Sequence, residues 1–373
     1  MTLDVLAWTA LLLAGIPAVL TCWNLSILLS PRRASAGMRR VSVLIPARNE
    51  AGNIGAAIDA VLADRSAEIE LIVLDDDSVD ATAAVVRDRA HRDPRIRLIS
   101  RKGPPPGVCG KPHACQQLAD AATSDTLVFV DADVRIRSAA VFALVAALDD
   151  SGAAMISGIP YQHTASIGER MLIPLMHFVL YGYLPVAFMR ATRHPSYGAA
   201  CGQLIAVNAA AYELVGGHAA IATQAHDGIA LARRFRTCGY GTDLIDATHI
   251  ATCRMYSGWS ELVEGLAKNA HEGLGSPAGI VPWTLLLGAG HVLPYLLLPF
   301  VWTSPVLSAI VLAAILLALS TRALLALRFR QSWLGVVLHP AGVAALILIQ
   351  WYALYRRAVR RPVTWKGRRL PSS

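Results

Sequence analysis

The run LVFVDADVRI (residues 127–136) closes a short apolar stretch with two aspartates, Asp131 and Asp133. The stretch 127–130 is rich in β-branched and aromatic residues and reads as a buried parallel strand. Ligands of open α/β sheets bind beyond the carboxyl ends of the strands. Two carboxylates two residues apart at such an end can hold a divalent cation and a polar ligand group together. Mg²⁺ and Mn²⁺ are bound in this way, by one or two carboxylates plus substrate phosphates. On its own, Asp-x-Asp also serves as a solvated turn.

Three further segments carry chemistry-bearing residues. The first two are PARNE (46–50) and LDDDSVDAT (74–82), each following an apolar run. Asp75 and Asp76 can accept hydrogen bonds from a base N–H or a ribose hydroxyl, and Ser78 and Asp80 can cap the helix that follows. Three successive acids repel one another unless cations or donors compensate, so Asp75, Asp76 and Asp77 form either a solvated turn or part of a shared site. The third segment is the loop GVCGKPHA (107–114) before a helix. Its spacing is not that of a Walker loop. Lys111 at a helix N-terminus can still meet a diphosphate together with free backbone N–H groups, or it can be an ordinary surface lysine.

These residues must be held by an alternation of strands and helices. VSVLI (41–45), IELIVL (69–74), IRLI (96–99) and the 127–130 run read as strands, and 53–63, 79–91 and 111–122 as helices. The β-α-β-α-β-α-β order predicts an α/β fold with a mostly parallel sheet and right-handed crossovers. LIAV (204–207) reads as a further strand and 227–238 as a further helix.

The chain has 373 residues, of which 54% are hydrophobic and only 16% charged. The apolar excess lies at the ends, in residues 5–29 and 281–355, and stretches of about 20 apolar residues read as transmembrane helices. No basic region precedes the first stretch and basic residues follow it, so an uncleaved anchor is expected rather than a signal peptide. Eleven basic residues flank the apolar ends: Arg32, Arg33, Arg39 and Arg40, then Arg356, Arg357, Arg360, Arg361, Lys366, Arg368 and Arg369. They exceed the whole net charge of +8 and leave the remainder slightly acidic. This is a juxtamembrane pattern and excludes nucleic acid as the partner.

The expected organisation is an N-terminal anchor (1–30), a cytosolic catalytic domain (40–275), a C-terminal membrane region of about three segments (281–355) and a basic tail (356–373). Three C-terminal spans would put that tail on the wrong face by the positive-inside rule. Either the last segment is re-entrant near His339–Pro340, one segment lies in the interface, or 171–189 spans. Two prolines and a glycine interrupt 171–189, and an interfacial helix pair is the preferred reading of it. The six cysteines contain no C-x-x-C pair and suggest neither a disulfide framework nor a zinc site.

PARNE, LDDDSVDAT, the Gly-Lys-Pro-His-Ala run and FVDAD, in this order and spacing, resemble the family 2 glycosyltransferases. The motifs span 41–135 and the likeness extends to about residue 270. The resemblance implies a GT-A type nucleotide-sugar domain. It assigns Pro46, Ala47, Arg48, Glu50, Asp75, Asp76, Lys111 and Asp131 to the nucleotide sugar, and Asp133 to Mg²⁺ or Mn²⁺. The family places a Glu-Asp pair before a helix, with the Asp as general base. Here the pair is His226–Asp227, so Asp227 matches the base, or simply caps the helix, and His226 departs from the pattern. The Q-x-x-R-W of processive synthases is missing from 256–274. The pattern W-x-x-x-x-x-G-x-x-K-N (259–269) and the tail VTWKGRRL (363–370) are instead similar to membrane glycosyltransferases acting on carotenoids, such as the hydroxychlorobactene and diaponeurosporenoate enzymes. His226, Lys268 and His271 could contact the diphosphate or the acceptor, or Lys268 and His271 could serve as ordinary residues of an amphipathic helix.

The resemblance implies a multi-pass membrane enzyme that moves a hexose, by inversion, from a UDP- or GDP-linked sugar to a lipid hydroxyl. The alternatives are a polyprenyl-phosphate sugar synthase, whose acceptor needs no base, a polysaccharide synthase, and an inactive scaffold that binds nucleotide.

Overall fold

The computed structural model describes residues 2–31, 39–270 and 274–359, together with the short pairing of Thr364–Trp365 with Arg368–Arg369. Of the basic residues flanking the apolar ends, Arg32, Arg33, Arg360, Arg361 and Lys366 lie outside this set, as does His271. The chain divides into two compact units, each discontinuous in sequence. One comprises Leu28–His163, Val186–Met255 and Pro362–Ser373; the other comprises Met1–Ile27, Thr164–Pro185 and Tyr256–Arg361. The block 40–275 is therefore shared between them.

The first unit is built on a seven-stranded sheet. Its strands are β1 (Arg40–Ala47), β2 (Glu68–Asp76), β3 (Ile96–Arg101), β4 (Thr126–Val130), β6 (Met155–Gly158), β8 (Leu204–Asn208) and β9 (Thr242–Ile245). Their order across the sheet is β3-β2-β1-β4-β8-β6-β9. β8 alone runs antiparallel, between β4 and β6. β1 and β2 are apolar and buried on both faces, as central strands covered by helices must be. β3 carries Arg97 and Arg101 and is largely exposed, as suits an edge. A second, three-stranded sheet joins β5 (Val134–Ile136), β10 (Ala251–Cys253) and β7 (Tyr161–Gln162) in the order β5-β10-β7. Strands this short leave no periodicity, and the sequence did not point to them.

Helix starts shift slightly from expectation. The helix after β2 runs Thr82–Arg92, three residues later than 79, because Asp80 folds back on itself. Its carboxylate accepts from the Thr82 N–H and hydroxyl on one oxygen and from the Ala51 N–H on the other. Ser78 does not cap this helix; its hydroxyl accepts from the Asn49 N–H in the preceding loop.

The second unit is helical. Leu3–Ile27 and Pro305–Phe329 are long and apolar enough to cross a membrane. The pair Ile280–His291 and Leu293–Val301, bent by 45°, would make a third span if counted as one. The first two helices approach through small side chains: Ala7, Ala10 and Ala14 on one, Val311 and Ala314 on the other. Small residues let helix backbones come close. Gly290 serves the same end, since a Cβ there would lie 2.9 Å from the Leu13 carbonyl oxygen.

The 171–189 segment is not one helix. Breaks at Ile173–Pro174 and Leu184–Pro185 divide it among Ile167–Leu172, Leu175–Tyr183 and Val186–Ala191. None of these pieces has the length to span. Asn24 donates to the carbonyls of Tyr181 and Leu184, satisfying acceptors that the break leaves open. The last apolar segment is also interrupted, between Leu334–Val337 and His339–Ala358, immediately before Pro340.

Candidate active site

The carboxyl ends of β1, β2 and β4 lie side by side, with Ala47 opposite Asp75 and Leu44 opposite Phe129. This brings PARNE, the Asp75–Asp77 turn and Asp131 to one edge of the sheet. The antiparallel β8 starts where β4 ends, and the Asp131 N–H donates to the Gln203 carbonyl at 3.0 Å. Gly202 and Gln203 thereby join the edge, although the sequence had not marked them.

At the centre is Lys111, in the first turn of the helix Gly110–Ala121. Its ammonium lies 2.7 Å from one Asp131 oxygen and 2.9 Å from the other. It also lies 3.0 Å from Asp227 and donates to the Gly202 carbonyl at 3.0 Å. Burial works against the charged lysine, but Asp131 and Asp227 outweigh it and hold Lys111 well above the ordinary lysine range. For Asp227, burial acts upward, but Lys111, with His218 and His226, brings the carboxyl down to about 2. Asp131 goes the other way: burial raises it, Lys111 opposes this, and Asp227 and Glu50 add to the rise. One ammonium thus serves two carboxylates.

Asp227 opens the helix Asp227–Thr237. The cap of that helix is His226, whose ring nitrogen accepts from the Ile229 N–H, so the carboxylate of Asp227 is left to face Lys111. The body of the helix is fixed by Arg236, which is buried and donates to the carbonyls of Met189, Thr192 and His194 and to the Thr242 hydroxyl. Two glycines permit the approach. A Cβ on Gly202 would lie 2.6 Å from an Asp227 carboxylate oxygen, and one on Gly228 would lie 2.6 Å from the Ala200 carbonyl oxygen. Sequence reasoning missed both, since a glycine has no side chain to announce its role.

Asp133 lies beside this cluster. Burial, then the charges of Asp131 and Glu50, push its carboxyl up to about 7. Its Oδ1 is buried and without a hydrogen-bond partner. A buried carboxylate oxygen left open in this way fits a cation or a donor that arrives with a ligand. Among the described residues no group of three or more His, Cys, Asp or Glu side chains is assembled around a metal position.

The remaining residues take supporting positions. Arg48 donates to the backbone carbonyls of Asp76 and Asp77 at 2.7 and 2.8 Å, holding the turn in which Asp77 adopts φ 57°. Asp75 accepts from the Ser78 N–H at 3.3 Å, and Asp75 and Asp76 are both buried. The Glu50 N–H donates to the Thr82 hydroxyl, and its carboxylate accepts from Asn53. Pro46 and Ala47 end β1. Lys268 belongs to the helical unit, on Trp259–Asn269.

Residues 42–212 match the family model described as glycosyl transferase family 2. This region of the chain belongs to the family 2 glycosyltransferases. It is similar to the 4,4'-diaponeurosporenoate glycosyltransferase of Staphylococcus haemolyticus, 25% identical over 66% of this chain and 64% of the relative. It is also similar to the enzyme of that name from Staphylococcus aureus, 28% identical over 66% of each chain. The match therefore spans just under two thirds of the length of these relatives. Among solved structures, the mannosyltransferase PcManGT of Pyrobaculum calidifontis, in complex with GDP-Man and Mn²⁺, superposes with a TM-score of 0.58 at 20% identity, covering 95% of this chain and 99% of that one. This likeness establishes the GT-A α/β fold.

Proposed function

We propose that this glycosyltransferase is a metal-dependent, inverting enzyme that moves a hexose from a nucleoside diphosphate sugar to a lipid hydroxyl at the membrane. The observation that carries the reading is the single ion-paired cluster that joins Asp131, at the expected donor site, to Asp227, the expected base. Pro46 to Glu50 and Asp75–Asp76 would contact the base and ribose, and Asp131 the ribose or sugar. Asp133 would hold Mg²⁺ or Mn²⁺, which when bound neutralises charge on the leaving diphosphate. Lys111 is the cation that bridges Asp131 and Asp227. A diphosphate entering beside it competes for its ammonium and relaxes its hold on Asp227. Asp227, freed of its counter-ion, accepts the acceptor hydroxyl's proton as the anomeric carbon is attacked from the face opposite the diphosphate.

The apolar helices would keep the enzyme in the cell membrane, with the catalytic unit in the cytosol, where nucleotide sugars are made available to a bilayer-dissolved acceptor. The activity of the similar staphylococcal enzymes favours a carotenoid-like acceptor. Membranes containing the protein, incubated with labelled UDP- and GDP-sugars, should yield a glycosylated lipid by mass spectrometry of the extract. A soluble or polymeric product in place of a lipid would refute the proposal.

A second reading has its own observation. Asp227 is held at about 2 by Lys111, which makes it a weak base unless Lys111 moves. An acceptor oxygen that is already ionised, a carboxylate or a phosphate, needs no base at all. A carboxylate acceptor gives a glycosyl ester cleaved by mild alkali, whereas a hydroxyl acceptor gives an alkali-stable glycoside. The same lipid extract, treated with alkali, separates the two.

A further inference from the structure

The helical unit holds an arginine that the proposed reaction does not use. Arg322 lies on Pro305–Phe329, one of the helices long and apolar enough to cross a membrane, and it is fully buried. Its Nη1 donates to the Pro174 carbonyl at 3.4 Å and to the Gln331 side-chain oxygen at 3.3 Å, both long contacts between a charge and a neutral acceptor. Nε and Nη2 are buried and have no hydrogen-bond partner among the described residues. These two nitrogens share one edge of the guanidinium, where their N–H bonds run parallel. That edge is the one that receives both oxygens of a carboxylate or a phosphate. Among the described residues no acid fills it. Glu169, on the helix Ile167–Leu172 just before Pro174, turns its carboxylate to the Ala165 N–H and the Ser166 hydroxyl. No Asp or Glu follows Glu272 in the chain. A buried charge without a counter-charge is strongly disfavoured, and within membrane helices it marks a ligand or ion site.

Depth and cover narrow the kind of ligand. Phe329 ends the helix two turns beyond Arg322, about 10 Å along the axis. In a spanning helix that depth is just inside the headgroup region, not the bilayer centre. Arg328 and Arg330 close the same end, where basic residues attract anionic headgroups. The cover is the short helix Leu334–Val337, set between breaks on either side. A Cβ on Gly335 would lie 3.7 Å from Nη2, so the missing side chain leaves the free edge approachable. Trp333 and Val337 on the same segment are exposed, as suits a segment that meets lipid. We propose that the helical unit binds a single amphiphile whose oxyanion, a phosphate or a carboxylate, sits side-on against Nε and Nη2 of Arg322. The amphiphile enters beside Leu334–Val337 and leaves its chains in the lipid. The site stands independently of the roles proposed for Asp133 and Asp227.

The test uses the full chain, delipidated in detergent micelles, and reads lipid retention by native mass spectrometry beside thermal unfolding. The probes are phosphatidylglycerol, oleate, inorganic phosphate and, as the amphiphile without an oxyanion, diacylglycerol. Phosphatidylglycerol or oleate should be retained as a single molecule per chain, at least roughly tenfold more tightly than diacylglycerol. The same lipid should raise the unfolding temperature. Whichever of the two binds more tightly assigns the headgroup as phosphate or carboxylate. Arg322→Met should lose both effects. Arg322→Lys keeps the charge but not the parallel N–H pair and should bind roughly tenfold more weakly. The lysine variant decides the matter where the methionine variant does not fold. Equal retention of diacylglycerol overturns the proposal, as does undiminished binding in the folded Arg322 variants. Absence of any lipid-dependent shift means that the guanidinium is merely hydrated, and also overturns it. Inorganic phosphate that protects as well as the lipids places the anion's source in solvent and overturns the amphiphile.

Discussion

The Lys111 ammonium sits 3.0 Å from the Asp227 carboxylate while it also grips both oxygens of Asp131. Removing the cation strips the buried Asp227 and the partly exposed Asp131 of their shared counter-ion, and breaking a buried pair costs about 3–5 kcal/mol, less where one partner is partly solvated. One of the two must then take up a proton in the folded state, so its folded pKa rises above the unfolded value. Stability from a raised acid is present at low pH and is lost as pH rises through the folded pKa. Lys111→Met should therefore melt at a lower temperature than wild type at pH 8, with a smaller deficit at pH 5. Thermal unfolding of the purified protein at the two pH values checks this, and an equal deficit at both would contradict it.

Asp227→Asn keeps the shape of the side chain and removes the base. For a hydroxyl acceptor, transfer should fall by roughly 10²- to 10⁴-fold, with metal and nucleotide affinity little changed. Steady-state rates beside nucleotide binding by calorimetry give the comparison. Retention of most activity would favour the ionised acceptor.

Gly202→Ala places a methyl 2.6 Å from an Asp227 carboxylate oxygen, and Gly228→Ala places one 2.6 Å from the Ala200 carbonyl oxygen. Each should displace Asp227 relative to Lys111. We expect turnover to drop by roughly 10²-fold, the scale on which a misplacement of about 1 Å acts. Circular dichroism should show the fold retained, while kcat falls more than KM rises.

Asp64 is fully buried and ties distant parts of the first unit together. One of its oxygens accepts from the Ser66 N–H and hydroxyl, the other from the Val141 N–H at 2.9 Å. It thereby caps the helix Ala140–Ser151, whose own cap residue, Ala139, has no side chain able to do so. Asp64→Ala should cost roughly 2–3 kcal/mol in denaturant unfolding, with nucleotide affinity unchanged where the protein is folded.

Glu70 gives the acid side of the stability profile. Burial acts upward on its carboxyl, but hydrogen bonds from Ser42 and Thr123 bring it below the usual glutamate value. A depressed acid stabilises above its unfolded pKa and loses that contribution as pH falls through the folded pKa. Glu70→Gln should cost about 1 kcal/mol at pH 7 and less near pH 3, flattening the acid limb of a stability-against-pH curve.

The parts of the fold that were legible share a property: their signal is local. The apolar runs ending in Ala47, Asp76 and Val130 fixed three neighbouring strands, because burial on both faces leaves an uninterrupted hydrophobic run. Pro174 and Pro185 announced the breaks in 171–189, because proline removes a helical donor. What stayed hidden was non-local. Nothing in residues 204–208 says that β8 inserts antiparallel between β4 and β6, and strands of two or three residues such as β7 and β10 carry no pattern at all.

The sequence by itself determined the family, the identity of the acidic residues at the strand ends and the apolar character of the terminal helices, since each is written in contiguous residues. Only the tertiary structure decided that Lys111, 20 residues from Asp131 in the chain, ion-pairs with it and with Asp227 together. The same holds for the space that Gly202 leaves for Asp227. Coulomb energy and hydrogen bonding depend on distances of a few ångströms, and for residues far apart in sequence those distances exist only once the sheet has set its strand order.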